Sequence, residues 1–429
     1  SELTLSMRII VILALGVLAI GAAFLLFSPN VIRGSGPIAT TNLSEEELIA
    51  RGEYLTVAGN CASCHTTSDG EFMAGGLSFA TPFGTLYSTN ITPDPETGIG
   101  NWSDWDFLNS MRHGVRPNGE HLYPAFPYTS FTKVPNEDIA AMFAYLRSIP
   151  PIKKDARTNE LSFPFNMRAL LGAWKVFYFD QGEFEFIKEE SAEWNRGAYL
   201  VEGLAHCSAC HTPRNFLGAE LARQHMSGGE YFDRVRSGSF RSWAAPNLTP
   251  SKRGLGLWPQ SALEDYLKTA RNDFLESFGP MNEVIMNSTR YLSGNDITAM
   301  ATYLKSLPII DEREGVMPDS ELMGRGRTIY NLHCGTCHLP TGEGDPEMAP
   351  RLNAGSLVVQ AENPASMINA ILYSPETPGH PLTPRWREAM EEFQYLLDDE
   401  EVAAVTSYIR NSWSNRAGLV SSEQVAIQR

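Results

Sequence analysis

Outside six positions this chain of 429 residues has no cysteine, and all six fall in three copies of one pattern: Cys61-Ala-Ser-Cys64-His65, Cys207-Ser-Ala-Cys210-His211 and Cys334-Gly-Thr-Cys337-His338. None is left over for a disulfide framework or a free redox thiol. Positive charge is scarce as well, with 34 Lys and Arg against 50 Asp and Glu and a net charge of −16. That balance argues against nucleic acid and anionic phosphate surfaces as partners. There is no phosphate-cradling glycine loop and no convincing catalytic triad, and the remaining carboxylates read as solvated faces. Uncharged apolar runs are missing too, apart from one near the N-terminus.

What is present begins with the cysteine pattern itself. C-x-x-C-H is the attachment motif of c-type haem. Two thiols three apart lie on one side of a helical turn, where each can form a thioether with a vinyl group of one porphyrin. The residue after them turns its imidazole onto the iron. A zinc ribbon would bring two C-x-x-C pairs close together in sequence, whereas these lie more than a hundred residues apart with a fixed His after each. A thioredoxin-like dithiol needs no such His. The expectation is three covalently bound haem c groups, held by Cys61, Cys64, Cys207, Cys210, Cys334 and Cys337, with His65, His211 and His338 as proximal iron ligands.

The exceptional apolar run is Ile9–Phe27, IIVILALGVLAIGAAFLLF. It is just long enough to cross a hydrocarbon core as a helix. A cleaved signal peptide ending near Gly21-Ala22-Ala23 is the alternative, but the run continues past that point to Phe27. The expectation is a membrane anchor over residues 1–30, with Arg8 keeping the N-terminus inside. The haem-bearing body would then face the periplasm from a bacterial inner membrane.

The rest of the chain repeats. Each haem motif is preceded by a segment beginning Arg-Gly, at Arg51, Arg196 and Arg325, and followed by a closing segment, DIAAMFAYLRSIP, DITAMATYLKSLP or EVAAVTSYIRNSW. Ile139, Met142, Phe143 and Leu146 recur at helical spacing, so the closing segments are amphipathic helices with a buried face. Acidic residues begin each helix, and Pro150 and Pro308 stop the first two. A helix before the motif and another at the end is the plan of a class I cytochrome c domain. The predicted fold is therefore all-α: three tandem class I cytochrome c domains, 44–152, 191–310 and 319–416, behind an N-terminal transmembrane helix. The first two share Asn90-Ile-Thr-Pro93 and Asn247-Leu-Thr-Pro250, read as loops wrapping the cofactor. Between them, 153–190 is an aromatic-rich linker. It reads as a strap packed against its neighbours or as an apolar surface for a partner or quinone.

A sixth iron ligand is expected from the loop before each closing helix, where a methionine thioether would raise the potential. In the third domain that position holds Met390, and in the second Met281, with Met286 as second choice. In the first domain the same place holds Phe126, within HLYPAFPYTSF, and a phenyl ring offers no lone pair. Either a neighbouring His takes the position, His121 before His113, or Met111 reaches in, or the iron is five-coordinate. The carbonyl of Pro350 is expected to accept the imidazole N–H of His338.

At this point the chain resembles the three-haem cytochrome c subunits of membrane-bound bacterial dehydrogenases. The resemblance rests on the three haem motifs, TNITPD, GIGNW, HLYPAFPY, APNLTP, GPMNEV with STRYL, and SYIRNSW. It implies an electron-transfer subunit that takes electrons from a catalytic partner and delivers them to ubiquinone. Relatives serve quinoprotein alcohol dehydrogenases, flavoprotein sugar and sugar-acid dehydrogenases, or molybdopterin aldehyde dehydrogenases with an iron–sulfur subunit. Phenylalanine at 126, where the alcohol and sugar types resemble Ala-Met-Pro-Tyr, is similar to the molybdopterin group. Met390-Glu-Glu-Phe393 departs from the family's Met-Pro-x-Phe. The competing class is a haem peroxidase-like enzyme that uses an open first iron.

Overall fold

Each Arg-Gly segment forms a helix that crosses its closing helix at the glycine. In the computed structural model, which describes residues 31–429 apart from 33, 35, 235–239, 312 and 378–389, the pairs are Glu45–Ala58 with Asn136–Ser148, Ala192–Tyr199 with Gly294–Ser306, and Ser320–His333 with Asp399–Arg410. A Cβ on Gly52 would lie 1.9 Å from the Ala141 carbonyl oxygen, one on Gly197 1.9 Å from that of Ala299, and one on Gly326 2.2 Å from that of Ala404. The repeated glycine is therefore a contact residue, needed so that two backbones can touch.

The helix ends follow local chemistry. Ser44 accepts from the Glu47 backbone N–H while the Glu47 carboxylate accepts from that of Ser44, and Asp398 and Glu401 form the same capping box. The first two closing helices stop two residues before Pro150 and Pro308, as proline's constraint on the preceding residue requires. Their predicted inner face is present, with Ile139, Met142, Phe143 and Leu146 all buried. The second entry helix runs on as a π-helical turn over Leu200–Leu204.

The all-α expectation is corrected. Strands β1 (Ser78–Thr81), β2 (Gly84–Tyr87) and β3 (Glu160–Leu161) form an antiparallel sheet in that order, and β4 (Gly229–Arg234) pairs antiparallel with β5 (Phe240–Ala245). The cause is local. Gly84, at φ +125°, turns β1 back into the Thr-Leu-Tyr run of β2, residues suited to a pleated, half-buried surface. The expected transmembrane helix lies within 1–30, outside the described residues, and among the described residues no helix is long and apolar enough to cross a membrane.

One hydrophobic cluster runs continuously from the first repeat into the second, whereas the third repeat has a cluster of its own. The aromatic linker straps the first two together: Tyr123 donates to the Phe165 carbonyl, Trp174 to that of Leu217, and Lys175 to that of His113. Its helix Leu170–Tyr178 nevertheless leaves Val176 and Phe177 in solvent, as do Phe163 and Phe186 on either side. Packing and exposure, the two readings of this segment, coexist along it.

Candidate haem sites

The three motifs fold into short helical turns, Cys61–His65, Ser208–His211 and Gly335–His338. In each, the histidine Nδ1–H donates to a backbone carbonyl: His65 to Thr89 at 2.7 Å, His211 to Pro246 at 2.7 Å and His338 to Pro350 at 2.8 Å. Such a bond sets the tautomer and ring orientation and keeps the Nε2 lone pair for a metal. Burial pushes all three imidazoles down in pKa, and the carbonyl bond only partly offsets it, so the rings are neutral.

The bond at Pro350 was expected from sequence, but its counterparts at Thr89 and Pro246 were not. Their signal was nonetheless present, since each directly precedes one of the Asn-x-Thr-Pro repeats. Those repeats are clamps. The Asn90 side-chain oxygen accepts from the Thr92 backbone and hydroxyl at 2.9 and 2.7 Å while its amide donates to the Ile152 carbonyl at 2.6 Å. Asn247 does the same with Thr249, at 2.7 Å twice, and with Ile310 at 2.7 Å. Each asparagine therefore ties the loop bearing the proximal carbonyl to the chain leaving the closing helix.

The cysteine pairs lie half-buried in the turns beside these imidazoles. Burial pushes the thiols of Cys61, Cys64, Cys207 and Cys334 up to about 12 and that of Cys210 to about 11, keeping them as neutral thiols. Among the described residues no three His, Cys, Asp or Glu side chains group to hold an ion, as a zinc ribbon would require. Paired thiols next to an oriented imidazole are the donor set of haem c, and the three sites fit that group.

The expected sixth ligands fall in varied settings. Met281 opens the helix Met281–Asn287 and packs on the core shared by the first two repeats, while the sulfur of Met286 is taken up by Arg290 at 3.4 Å. Met390 packs against the third core and follows 378–389, which lie outside the described residues. His121 is buried in a bridge with Val115, with its Nδ1 3.1 Å from the Lys175 ammonium. His113 and Met111 are buried on the helix Asp104–His113. Phe126 lies with its ring centroid 5.3 Å from Phe131, whose ring stands edge-on to His206 at 5.4 Å. His206 therefore joins the Phe126–Phe131 segment of the first domain to the second haem motif.

A family model for cytochrome c matches residues 49–150 and 323–413. The cytochrome c subunit of gluconate 2-dehydrogenase from Pantoea cypripedii is 38% identical over 90% of this chain and 90% of its own length. The chain belongs to the family of dehydrogenase cytochrome c subunits. The fructose dehydrogenase cytochrome subunit of Gluconobacter japonicus is 34% identical over 94% of this cytochrome c subunit and 86% of that protein. The cytochrome c subunit of the quinone alcohol dehydrogenase of Gluconacetobacter polyoxogenes is 36% identical over 90% of this chain and 85% of its own length. Membership brings covalently bound haem c with it. The middle repeat, outside the family model's two matches, carries the same motif and the same histidine-to-carbonyl bond.

Proposed function

We propose that this cytochrome c subunit binds three haem c groups, one per motif, and carries single electrons from a catalytic dehydrogenase subunit to ubiquinone at the periplasmic face of a bacterial inner membrane. The observation that carries this reading is the threefold recurrence of one arrangement, paired cysteines followed by a half-buried histidine whose Nδ1–H is held by a carbonyl. Each bound haem supplies a one-electron iron couple, tuned by axial ligand and burial. The haem domains are assigned to 44–152, 191–310 and 319–416, joined by the linker 153–190. The sixth ligands proposed are Met281 and Met390, with His121 for the first haem. A carrier of this kind needs no general acid, base or nucleophile.

For the catalytic partner we favour a molybdopterin aldehyde dehydrogenase with an iron–sulfur subunit, on the resemblance at Phe126. A sugar-acid or alcohol dehydrogenase is the second reading, supported by the nearly full two-way matches to the gluconate 2-dehydrogenase and alcohol dehydrogenase subunits. The exposed apolar side chains of Val176 and Phe177 suit a membrane or quinone surface. Purifying the native complex and assaying molybdenum, flavin and pyrroloquinoline quinone decides the partner. Stopped-flow mixing with the substrate of that partner then tests the role: the haems should be reduced and ubiquinone should reoxidise them. Haems that stay oxidised in the intact, active complex would contradict it.

A further inference from the structure

Asp138 and Asp296 occupy the same place in the first two repeats, and each is shared between domains. Asp138 accepts from its own domain's Arg51 at 2.5 and 2.9 Å and from the Tyr199 hydroxyl of the second domain at 2.5 Å. Asp296 accepts from its own Arg196 at 2.7 and 2.8 Å and from the Tyr54 hydroxyl of the first domain at 2.6 Å. Tyr54 and Tyr199 are themselves equivalent, in Arg-Gly-Glu-Tyr54 and Arg-Gly-Ala-Tyr199. The exchange is reciprocal, as across a two-fold axis.

The rest of the interface obeys the same relation, each haem motif meeting the other domain's ligand segment. Ser63, inside the first motif, accepts from Asn287 at 2.9 Å and donates to the Glu283 carbonyl at 3.3 Å, and Ser288 donates to that of Ala58. On the opposite side His206 meets Phe131. Residues within or next to both motifs therefore lie at the interface.

The third domain has neither half of this clasp. Thr328 stands where the tyrosines stand and bonds to Gly324 within its own helix, while Glu401, in place of the aspartates, caps Asp398. Its bonds run to the second domain by other means, Ser366 to Ala244 and Asn369 to Ser242. We infer that Tyr54, Asp138, Tyr199 and Asp296 are positioning residues that hold the first two haems as a fixed, electronically interacting pair from which the third stands apart. The inference rests on the proposed loading of all three motifs.

The test uses the full chain and the variants Y54F, Y199F and Y54F/Y199F, each of which removes only hydroxyl groups. Haem content, Soret circular dichroism and a potentiometric titration are measured together, with T328V as the control. Wild type should show a bisignate Soret couplet and a mutual redox interaction between two haems. Both should shrink in the single variants and be lost in the double variant, at full haem load, while T328V changes neither. An unchanged couplet and titration in fully loaded variants would overturn the inference even if the melting temperature fell, since the clasp would then only stabilise the fold. If the double variant fails to load haem, the single variants decide by the same criteria. A fully loaded wild type with no couplet also overturns it. Fewer than three haems in wild type would instead overturn the loading on which it rests.

Discussion

Glu202, in the π-turn of the second domain, accepts a bond from Lys133 of the first at 3.1 Å. It also accepts from His225 at 2.7 Å and from Tyr303 at 2.8 Å. Burial works against its charge, but His225, Lys133 and Tyr303 together outweigh that and hold its carboxyl at about 2. A carboxyl depressed on folding contributes stability above its unfolded pKa and loses it as pH falls towards the folded one. The contribution should therefore be complete above about pH 5 and fade between there and pH 2, with a glutamate's ordinary value near 4.3 as the upper bound. E202Q should cost about 1–3 kcal/mol near neutrality, because it weakens the bonds that the buried carboxylate accepts from the part-exposed Lys133 and His225. It should also flatten the acid limb of the melting temperature against pH, which scanning calorimetry at several pH values would read.

The helix crossings make a second prediction. G52A or G197A would drive a methyl group into a carbonyl oxygen at 1.9 Å, a contact that requires the helices to separate. The loss should be on the order of 1–3 kcal/mol, the usual scale of overpacking. The local effect should appear as weakened hydrogen-exchange protection in that pair of helices alone. A neutral substitution would show that the crossing is looser than this contact distance implies.

The clamps separate stability from tuning. N90A removes the oxygen and amide that tie the Thr89 loop to Ile152, and N247A does the same for the Pro246 loop. Each should cost about 1–3 kcal/mol for the buried partners left unsatisfied. More specifically, N90A should shift the potential of one haem and N247A that of another, because each loosens a single proximal imidazole. A redox titration in which both variants move the same haem would contradict this assignment.

Phe126 yields a spectroscopic prediction. The methionine-to-iron charge-transfer band should account for two of three haems, and F126M should add a third. Cyanide or hydrogen peroxide given to the isolated subunit distinguishes a carrier from a peroxidase-like enzyme. Rapid binding or turnover at one haem would favour the enzyme.

Much of the site was legible in the sequence because its chemistry depends on short spacing. The paired cysteines with a following histidine, the Arg-Gly helices and the amphipathic closing helices are local patterns, and each has a local cause in the structure. The strands were less legible: β3 is two residues long and joins its sheet from beyond the first closing helix, a pairing that no periodicity announces. Thr89 and Pro246 were missed because a backbone carbonyl carries no residue signature, although the Asn-Ile-Thr and Asn-Leu-Thr repeats beside them did. The clasp of Tyr54 with Asp296 spans 242 residues of sequence, so the repeated tyrosine was visible but its partner was not.

The most direct test of the central claim is the intact mass of the purified, denatured chain, combined with peptide mapping of the three motifs. The account predicts three haems per chain, with Cys61 and Cys64, Cys207 and Cys210, and Cys334 and Cys337 all carrying thioether-linked haem. A mass corresponding to two haems, with free thiols at any one motif, would contradict it.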